Sequence, residues 1–406
     1  LSFEFLTLDD VDLRHKTVFL RVDINSPVDK EGNVLSERRI RAVIPTLKEL
    51  ISSKVVLTSH QGRPGESDFA SLVPHVRILR RNLGDRVKFV EDIMGPTAIN
   101  TIRKLKTGEI LVLENVRFCS EELLEGSPEE LMKTHLMRKL SPLFDVFVND
   151  AFAALHRAQP SLIALSAILP MVAGRLMEKE LSVVKKLVTN PDRPMIAILG
   201  GSKIKDKVPA ISALLRRGMA DKVLVAGLVG EAFLKASGFR FEKTVESMLN
   251  RSVVMEAKRI LRKYGDKVVL PVDVAWKENG ERVEGTLRKG VRTKPMDVGK
   301  ETTKLFSTHI REAGTIFAAG PLGVYEVAGF DISTKEILSE IANSNAFSVV
   351  GGGDLASTVD QMGLGGGISH LSTGGGALLY TISGVELPVL DALKKSALKR
   401  KRKPFS

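Results

Sequence analysis

Nine short runs rich in Val, Ile and Leu recur along this chain, and each leads into a turn and then a helical pattern. Four lie in the first half, "KTVFLRVDI", "KVVLTSH", "EILVLENV" and "DVFVND". Five follow, "PMIAILGG", "KVLVAG", "KVVLPVDV", "GTIFAAG" and "AFSVVGGG". Strands that are apolar without alternation are buried on both faces, which requires parallel sheets covered by helices. The segment "GRLMEKELSVVKKLVTNPDRP" divides the two series. Leu176, Val183, Val184 and Leu187 include helix-spaced apolar positions, and Pro191 and Pro194 stop the helix before the next strand. The expected fold is α/β, with two doubly wound parallel-sheet domains joined by a helix.

At 406 residues with a net charge of +12, the chain is long enough for two cores and suits either nucleic acid or anionic small substrates. Aromatic residues make up only 5%, and basic residues are dispersed except in the tail "KKSALKRKRK", so nucleic acid is not expected as the main partner. That tail reads as the basic end of a C-terminal helix. No apolar run reaches the roughly 18 residues of a membrane span, and "LSFEFLTLDD" lacks the features of a signal peptide. A cytoplasmic location is expected, in keeping with the lone Cys119. The seven His residues show no H-E-x-x-H spacing.

Open parallel sheets bind ligands beyond the carboxyl ends of their strands. In the first half these ends carry Asp23 and Asn25, then His60 and Arg63, then Arg117, then His156 and Arg157, with Arg38, Arg39 and Arg41 between the first two strands. Singly, each is as well explained by a surface charge, a turn or a cap. Together they suit an anion with both phosphate and carboxylate, since guanidinium binds either in a bidentate manner. The second half carries glycine instead: Gly200-Gly201, Gly351 to Gly353 before Asp354, and Gly374 to Gly376. Such turns let backbone N–H groups approach phosphates, although one alone is equally a tight turn. No G-x-x-x-x-G-K-[ST] loop is present; Lys203, Lys205 and Lys207 follow Gly201 at alternate positions. If the strand continued, its period would turn Lys203 and Lys205 together.

The segments "RVDINSP", "SHQGRP", "LENVRF", "NDAFAALHRA", "ILGGSKIKDKV", "GPLGVYE", "GGGDLAST" and "LSTGGGA" make the whole chain resemble phosphoglycerate kinases, archaeal members above all. The resemblance implies two domains facing across a cleft. Residues 1–174 would bind 3-phosphoglycerate or 1,3-bisphosphoglycerate. Residues 175–387 would supply the linking helix and bind ATP or ADP with Mg2+, and the tail 388–406 would pack back on the first domain. It assigns Asp23, Asn25, Arg39, His60, Arg63, Arg117 and Arg157 to the phosphoglycerate. It assigns Gly200, Gly201, Lys203, Lys207, Glu326, Gly351, Gly352, Gly353 and Asp354 to the nucleotide, with Asp354 near the metal. Arg39, Lys203, Lys207 and Gly352 would act on the moving phosphoryl group, and domain closure would assemble the site.

Two departures stand out. Ala319 replaces the family's usual Asn before Gly-Pro, and Ala154-Leu155 replaces its usual Gly-Thr after "DAF". Two other readings stay open: a different acyl-phosphate-forming kinase on this fold, and a binding protein without activity. The first would need a changed substrate pocket, and the second is disfavoured by the intact Arg39, Lys203 and glycine turns.

Overall fold

The computed structural model describes residues 4–288 and 292–402. Residues 1–3 of the expected first domain, 289–291 of the second and 403–406 of the tail lie outside the described residues. Packing divides the chain into two compact units, residues 1–182 with 386–406, and residues 183–385.

Unit 1 is built on six parallel strands: β1 (Thr17–Val22), β2 (Lys54–Thr58), β3 (Val87–Val90), β4 (Ile110–Leu113), β5 (Val146–Asp150) and β6 (Met171–Ala173). Their order is β3-β4-β2-β1-β5-β6, so the chain changes sides of β1 after β4. β1 is buried from Val18 onward, Arg21 included, as a strand covered on both faces requires. Val18, Leu20 and Val22 pack with Ile40, Leu47, Leu79 and Val148 in one core.

Unit 2 contains β7 (Met195–Leu199), β8 (Lys222–Val225), β9 (Arg240–Phe241), β10 (Val268–Val269), β11 (Asp273–Glu278), β12 (Glu281–Thr286), β13 (Arg292–Thr293), β14 (Asp297–Val298), β15 (Thr315–Ala319), β16 (Phe347–Gly351) and β17 (His370–Ser372). Six form a parallel sheet in the order β10-β8-β7-β15-β16-β17, the doubly wound order in which ligands bind where the winding reverses. That point lies between β7 and β15. The run "KVVLPVDV" is two strands and not one: Pro271 interrupts it, and β11 turns into an antiparallel sheet, β12-β11-β14. The outer strands β3, β6 and β17 are only three or four residues long and stand out in no apolar run.

The helix Arg175–Thr189 spans the boundary between the units. Arg175 pairs with Asp9 and Glu49 at 2.7 Å and with Glu178 at 2.8 Å. Beneath it Asp150 accepts from the Thr46 hydroxyl at 2.6 Å and from Met177 N at 2.8 Å. Burial pushes this carboxyl up to about 6.

The C-terminal helix Pro388–Arg402 belongs to unit 1. Val389, Leu390, Leu393 and Ala397 are buried, and Ser396 Oγ accepts from Met171 N at 2.8 Å. Among the described residues no single helix is long and apolar enough to cross a membrane. Because Leu393 is fully buried, Leu393→Ala should cost about 2–5 kcal/mol in urea unfolding followed by circular dichroism. Lys395→Ala, on the exposed face of the same helix, should change stability by less than about 0.5 kcal/mol.

Candidate active site

In unit 1 the strand ends converge on Asp23. Asp23 Oδ1 accepts from Asn25 N at 3.1 Å and from Arg39 Nη1 at 3.2 Å, and Arg39 Nη1 also donates to Asn25 O at 2.9 Å. Asn25 Oδ1 accepts from Gly62 N at 3.0 Å, which ties the β1 loop to the β2 loop. Arg39 lies on the short helix Arg38–Ala42 and turns inward, whereas Arg41 points outward and pairs with Glu37 at 2.7 Å. Burial opposes ionisation of Asp23, but Arg39 and the other cations outweigh it and hold the carboxyl well below its usual range.

His60, after β2, is buried between two guanidinium groups. Arg21 Nη2 lies 3.2 Å from its Nδ1, and Arg157 Nη1 lies 3.2 Å from its Nε2. Burial drives the imidazole pKa well below 6.5, with Arg21, Arg117 and Arg157 adding to the effect against Asp23. A neutral ring has only one acceptor nitrogen, so one of the two contacts faces an N–H against an N–H. Arg117 follows β4 in a 3-10 turn capped by Asn115 Oδ1 at 3.1 Å and donates to Gly62 O. Its Nε is buried without a partner. Burial, reinforced by Arg157 and Arg21, brings its pKa down to about 10. Arg63 is exposed yet close enough to repel both Arg117 and Arg157. His156 is exposed beside Arg157, and Ala154 and Leu155 turn into the core, where Leu155 O accepts from Val389 N at 3.3 Å.

Beneath this cluster lies a buried pair that the apolar run "FLRV" concealed. Arg21 is fully buried, donates to Ser161 Oγ at 2.7 Å and to Val22 O, and lies 3.8 Å from Glu122. Glu122 accepts from Ser161 N at 3.0 Å and Ser161 Oγ at 2.5 Å. Burial pushes Glu122 up and Arg21 down, and their mutual attraction opposes both shifts.

In unit 2 the turns gather at the β7/β15 switch point. A Cβ on Gly200 would lie 2.1 Å from Pro321 O, so only glycine fits this close approach. The chain then enters the helix Ile204–Arg216, which corrects the alternate-position reading of the lysines. Lys203 and Lys207 are one turn apart; Lys203 is exposed and Lys207 buried. Lys207 Nζ donates to Gly200 O and, at 3.1 Å, to Ala319 O, which joins the ends of β7 and β15. The backbone of Ala319 makes this contact, so the missing Asn side chain does not disturb it. Burial, then Lys203, brings the Lys207 pKa down to about 8, against the pull of Asp354.

Gly352, with φ of 111°, turns β16 into the helix Gly353–Gln361, and Gly375 packs against Gly351 and Gly352. Asp354 in that first turn accepts from Tyr325 Oη at 3.0 Å, a contact that no sequence motif signals. A cavity of about 570 Å³ in this unit includes Gly201, Ser202, Tyr325, Glu326 and Asp354 in its lining. No group of three or more His, Cys, Asp or Glu suited to a metal occurs among the described residues.

A family model described as phosphoglycerate kinase matches residues 8–385. The chain is 44% identical over 401 residues to a phosphoglycerate kinase of Methanothermus fervidus, covering 97% of this chain and 98% of the relative. It is 43% identical over 403 residues to that of Methanothermobacter thermautotrophicus, covering 98% of each. The crystal structure of phosphoglycerate kinase from Pyrococcus horikoshii OT3 superposes with a TM-score of 0.91 at 42% identity, covering 97% of this chain and all of that one. That from Coxiella burnetii gives 0.78 at 31% identity, covering 97% of this chain and all of that one.

Glu122→Ala would leave Arg21 buried without its countercharge, which costs about 3–5 kcal/mol. Hydrogen exchange should show amides of β1 and β5 losing protection while those of β7 and β15 keep theirs.

Proposed function

This chain belongs to the phosphoglycerate kinase family, whose members transfer a phosphoryl group reversibly between a nucleotide and the carboxyl group of phosphoglycerate in glycolysis, and from that premise we propose how its residues divide the work. Unit 1 binds 3-phosphoglycerate or 1,3-bisphosphoglycerate, and unit 2 binds ATP or ADP. The observation that carries this reading is the excess of guanidinium groups in this cluster: Arg21, Arg39, Arg117 and Arg157 around His60 and Asp23, with Arg63 beside Arg117 and Arg157, against the two carboxylates Asp23 and Glu122. Cations that repel one another and crowd a neutral imidazole are relieved by an anion.

Arg63, Arg117 and Arg157 hold the phosphate that does not react. Asp23 and Asn25 hold the hydroxyl, and Arg39 faces the carboxylate. The acceptor is a carboxylate with a pKa of about 4, ionised at neutral pH, so no side chain has to remove a proton. What the protein must supply is positioning and positive potential for the phosphoryl group in flight. Lys203, free to move at the helix start, follows that group. Lys207 is committed to the backbone at the switch point and positions Gly200 and Gly201. The Gly351–Gly353 turn offers backbone N–H groups to the nucleotide phosphates, with Gly352 nearest the transferring group, and Glu326 holds the ribose.

Asp354 suits a magnesium ion shared with nucleotide phosphates, because Mg2+ commonly uses one or two carboxylates plus phosphate oxygens and Tyr325 occupies only one of its oxygens. Bound there, Mg2+ would neutralise charge between the phosphates. Because the two substrates belong to separate units, closure must bring them together and exclude water, the competing acceptor. A cytoplasmic location accords with this glycolytic step.

A steady-state assay with ATP and a panel of small carboxylates tests the substrate assignment, with turnover expected for 3-phosphoglycerate above the others. Lys203→Ala should lower kcat roughly 10²-fold or more with 3-phosphoglycerate affinity retained, whereas Lys205→Ala should be nearly silent. In calorimetric titrations Arg157→Ala should weaken 3-phosphoglycerate binding roughly 10- to 100-fold and leave ADP binding almost intact. Equal losses for both ligands would overturn the division of roles between the units.

A further inference from the structure

We propose that the carboxyl group of Glu231 recognises the nucleotide base by accepting a hydrogen bond from the 6-amino group of adenine while pairing with the adjacent ring nitrogen. The inference rests on the reading of the unit 2 cavity as the nucleotide site and goes beyond it, since nothing so far says what selects the base.

Glu231 lies on the helix Gly227–Ala236, which follows β8. Gly227, Glu231 and Leu234 fall at i, i+4 and i+7, on one helix face, and all three line the cavity. Gly227 anchors this face to the switch point: a Cβ there would lie 2.8 Å from Gly201 N. The cavity therefore runs from the glycine turns, where phosphates would sit, back along the helix to Glu231. Between them its walls include Leu228, Met248, Val274, Met296 and Val324, which suit a flat aromatic ring and offer it no polar partner.

Thr244, Lys294 and Asp297 also line the cavity, but among its described lining residues only Glu231 holds a buried side-chain atom without a hydrogen-bond partner. Glu231 is 8% exposed, and the unpartnered atom is its Oε2. Buried polar side-chain atoms are nearly always partnered, and an unpaired charge in such a place is costly. The group accordingly avoids charge: burial pushes its pKa up to about 8, with no cation to oppose the shift. At neutral pH it is then a carboxylic acid, with one O–H to donate and one carbonyl oxygen to accept. Adenine presents a matching pair on either side of C6, an N–H donor of the amine beside an acceptor ring nitrogen. A site that satisfies a buried polar group through the ligand rejects an analogue lacking the matching group, because its own atom is left unpaired.

The test compares ADP with purine riboside 5′-diphosphate, which carries hydrogen in place of the 6-amino group, by calorimetric titration of the full chain. The wild-type protein should prefer ADP by about tenfold. Glu231→Gln keeps a donor and an acceptor and should retain the preference. Glu231→Leu removes both and should bring the two affinities within about twofold, with 3-phosphoglycerate affinity unchanged. In parallel, methyl NMR of methionine-labelled protein locates the base, with Met248 and Met296 signals assigned through Met→Leu variants.

Movement of both signals on ADP addition, together with loss of preference in Glu231→Leu alone, supports the proposal. If the signals move but the wild-type protein does not distinguish the two nucleotides, the proposal is overturned and the cavity assignment survives. The proposal is likewise overturned, with the cavity assignment intact, if Glu231→Leu keeps the wild-type ratio or Glu231→Gln loses it. If ADP binds and neither signal moves, the cavity assignment fails, and the proposal fails with it.

Discussion

Holding several guanidinium groups together without their flying apart is the constraint on which unit 1 depends. Arg21, Arg39, Arg117 and Arg157 gather around His60 and Asp23, Arg63 lies beside Arg117 and Arg157, and burial opposes the charge of Arg21, Arg117 and Arg157. They stay because backbone oxygens and two carboxylates are fixed where they are needed: Val22 O and Gly62 O receive Arg21 and Arg117, while Asp23 and Glu122 lie beside Arg39 and Arg21. Each of those acceptors sits at or just past the end of a parallel strand, or on a segment bonded to one. The sheet order is thus what makes the charge cluster possible. Once β1, β2, β4 and β5 end side by side, the loops after them share one space.

Unit 2 meets a different constraint, since its strand ends approach one another closely at the switch point. Here close approach comes from glycine, and at the switch point Lys207 serves a structural end. Lys207 spans Gly200 O and Ala319 O, so its ammonium fills the gap that opens where the winding reverses. Its depressed pKa reflects that burial first and Lys203 second. Two lysines one helical turn apart therefore do different things: the buried one fixes the turn, and the exposed one is left free. That division follows from the helix beginning at Ile204: Lys203 is the capping residue outside it and exposed, whereas Lys207 lies in its first turn and is buried.

The parallel sheets were legible because buried strands such as β4, β7 and β15 leave unbroken apolar runs, and the helix between the series was legible from its spacing and its prolines. The short outer strands were not, since three residues such as Met171–Ala173 carry no period. The antiparallel sheet escaped notice because Pro271 sits inside one apparent run. Of the candidate residues, those at strand ends were readable from residue type and position. Arg21, Glu122 and Ser161 were not, because a charge inside an apolar strand signals only once its partner is known, and that partner is about a hundred residues away. Tyr325 and Glu231 were hidden for a related reason: their meaning depends on which atoms they fail to meet or meet only in space.

Unmet atoms also connect the two units' chemistry. A folded chain satisfies nearly all buried polar groups, so an orphan in a pocket is tolerated only where something else completes it. Among the buried atoms left without a partner are Glu231 Oε2, which lines the unit 2 cavity, and Arg117 Nε, which lies in the guanidinium cluster of unit 1, the first on a neutral acid and the second a cationic donor. Their difference matches what each pocket must hold. On the proposed division of roles, unit 1 needs positive charge, because phosphoglycerate is anionic at both ends. On the same proposal the far end of the unit 2 cavity needs none, because a purine is uncharged and would be told apart by the direction of its hydrogen bonds. In that reading charge is placed where the substrate is charged, and a proton is kept where only geometry can discriminate.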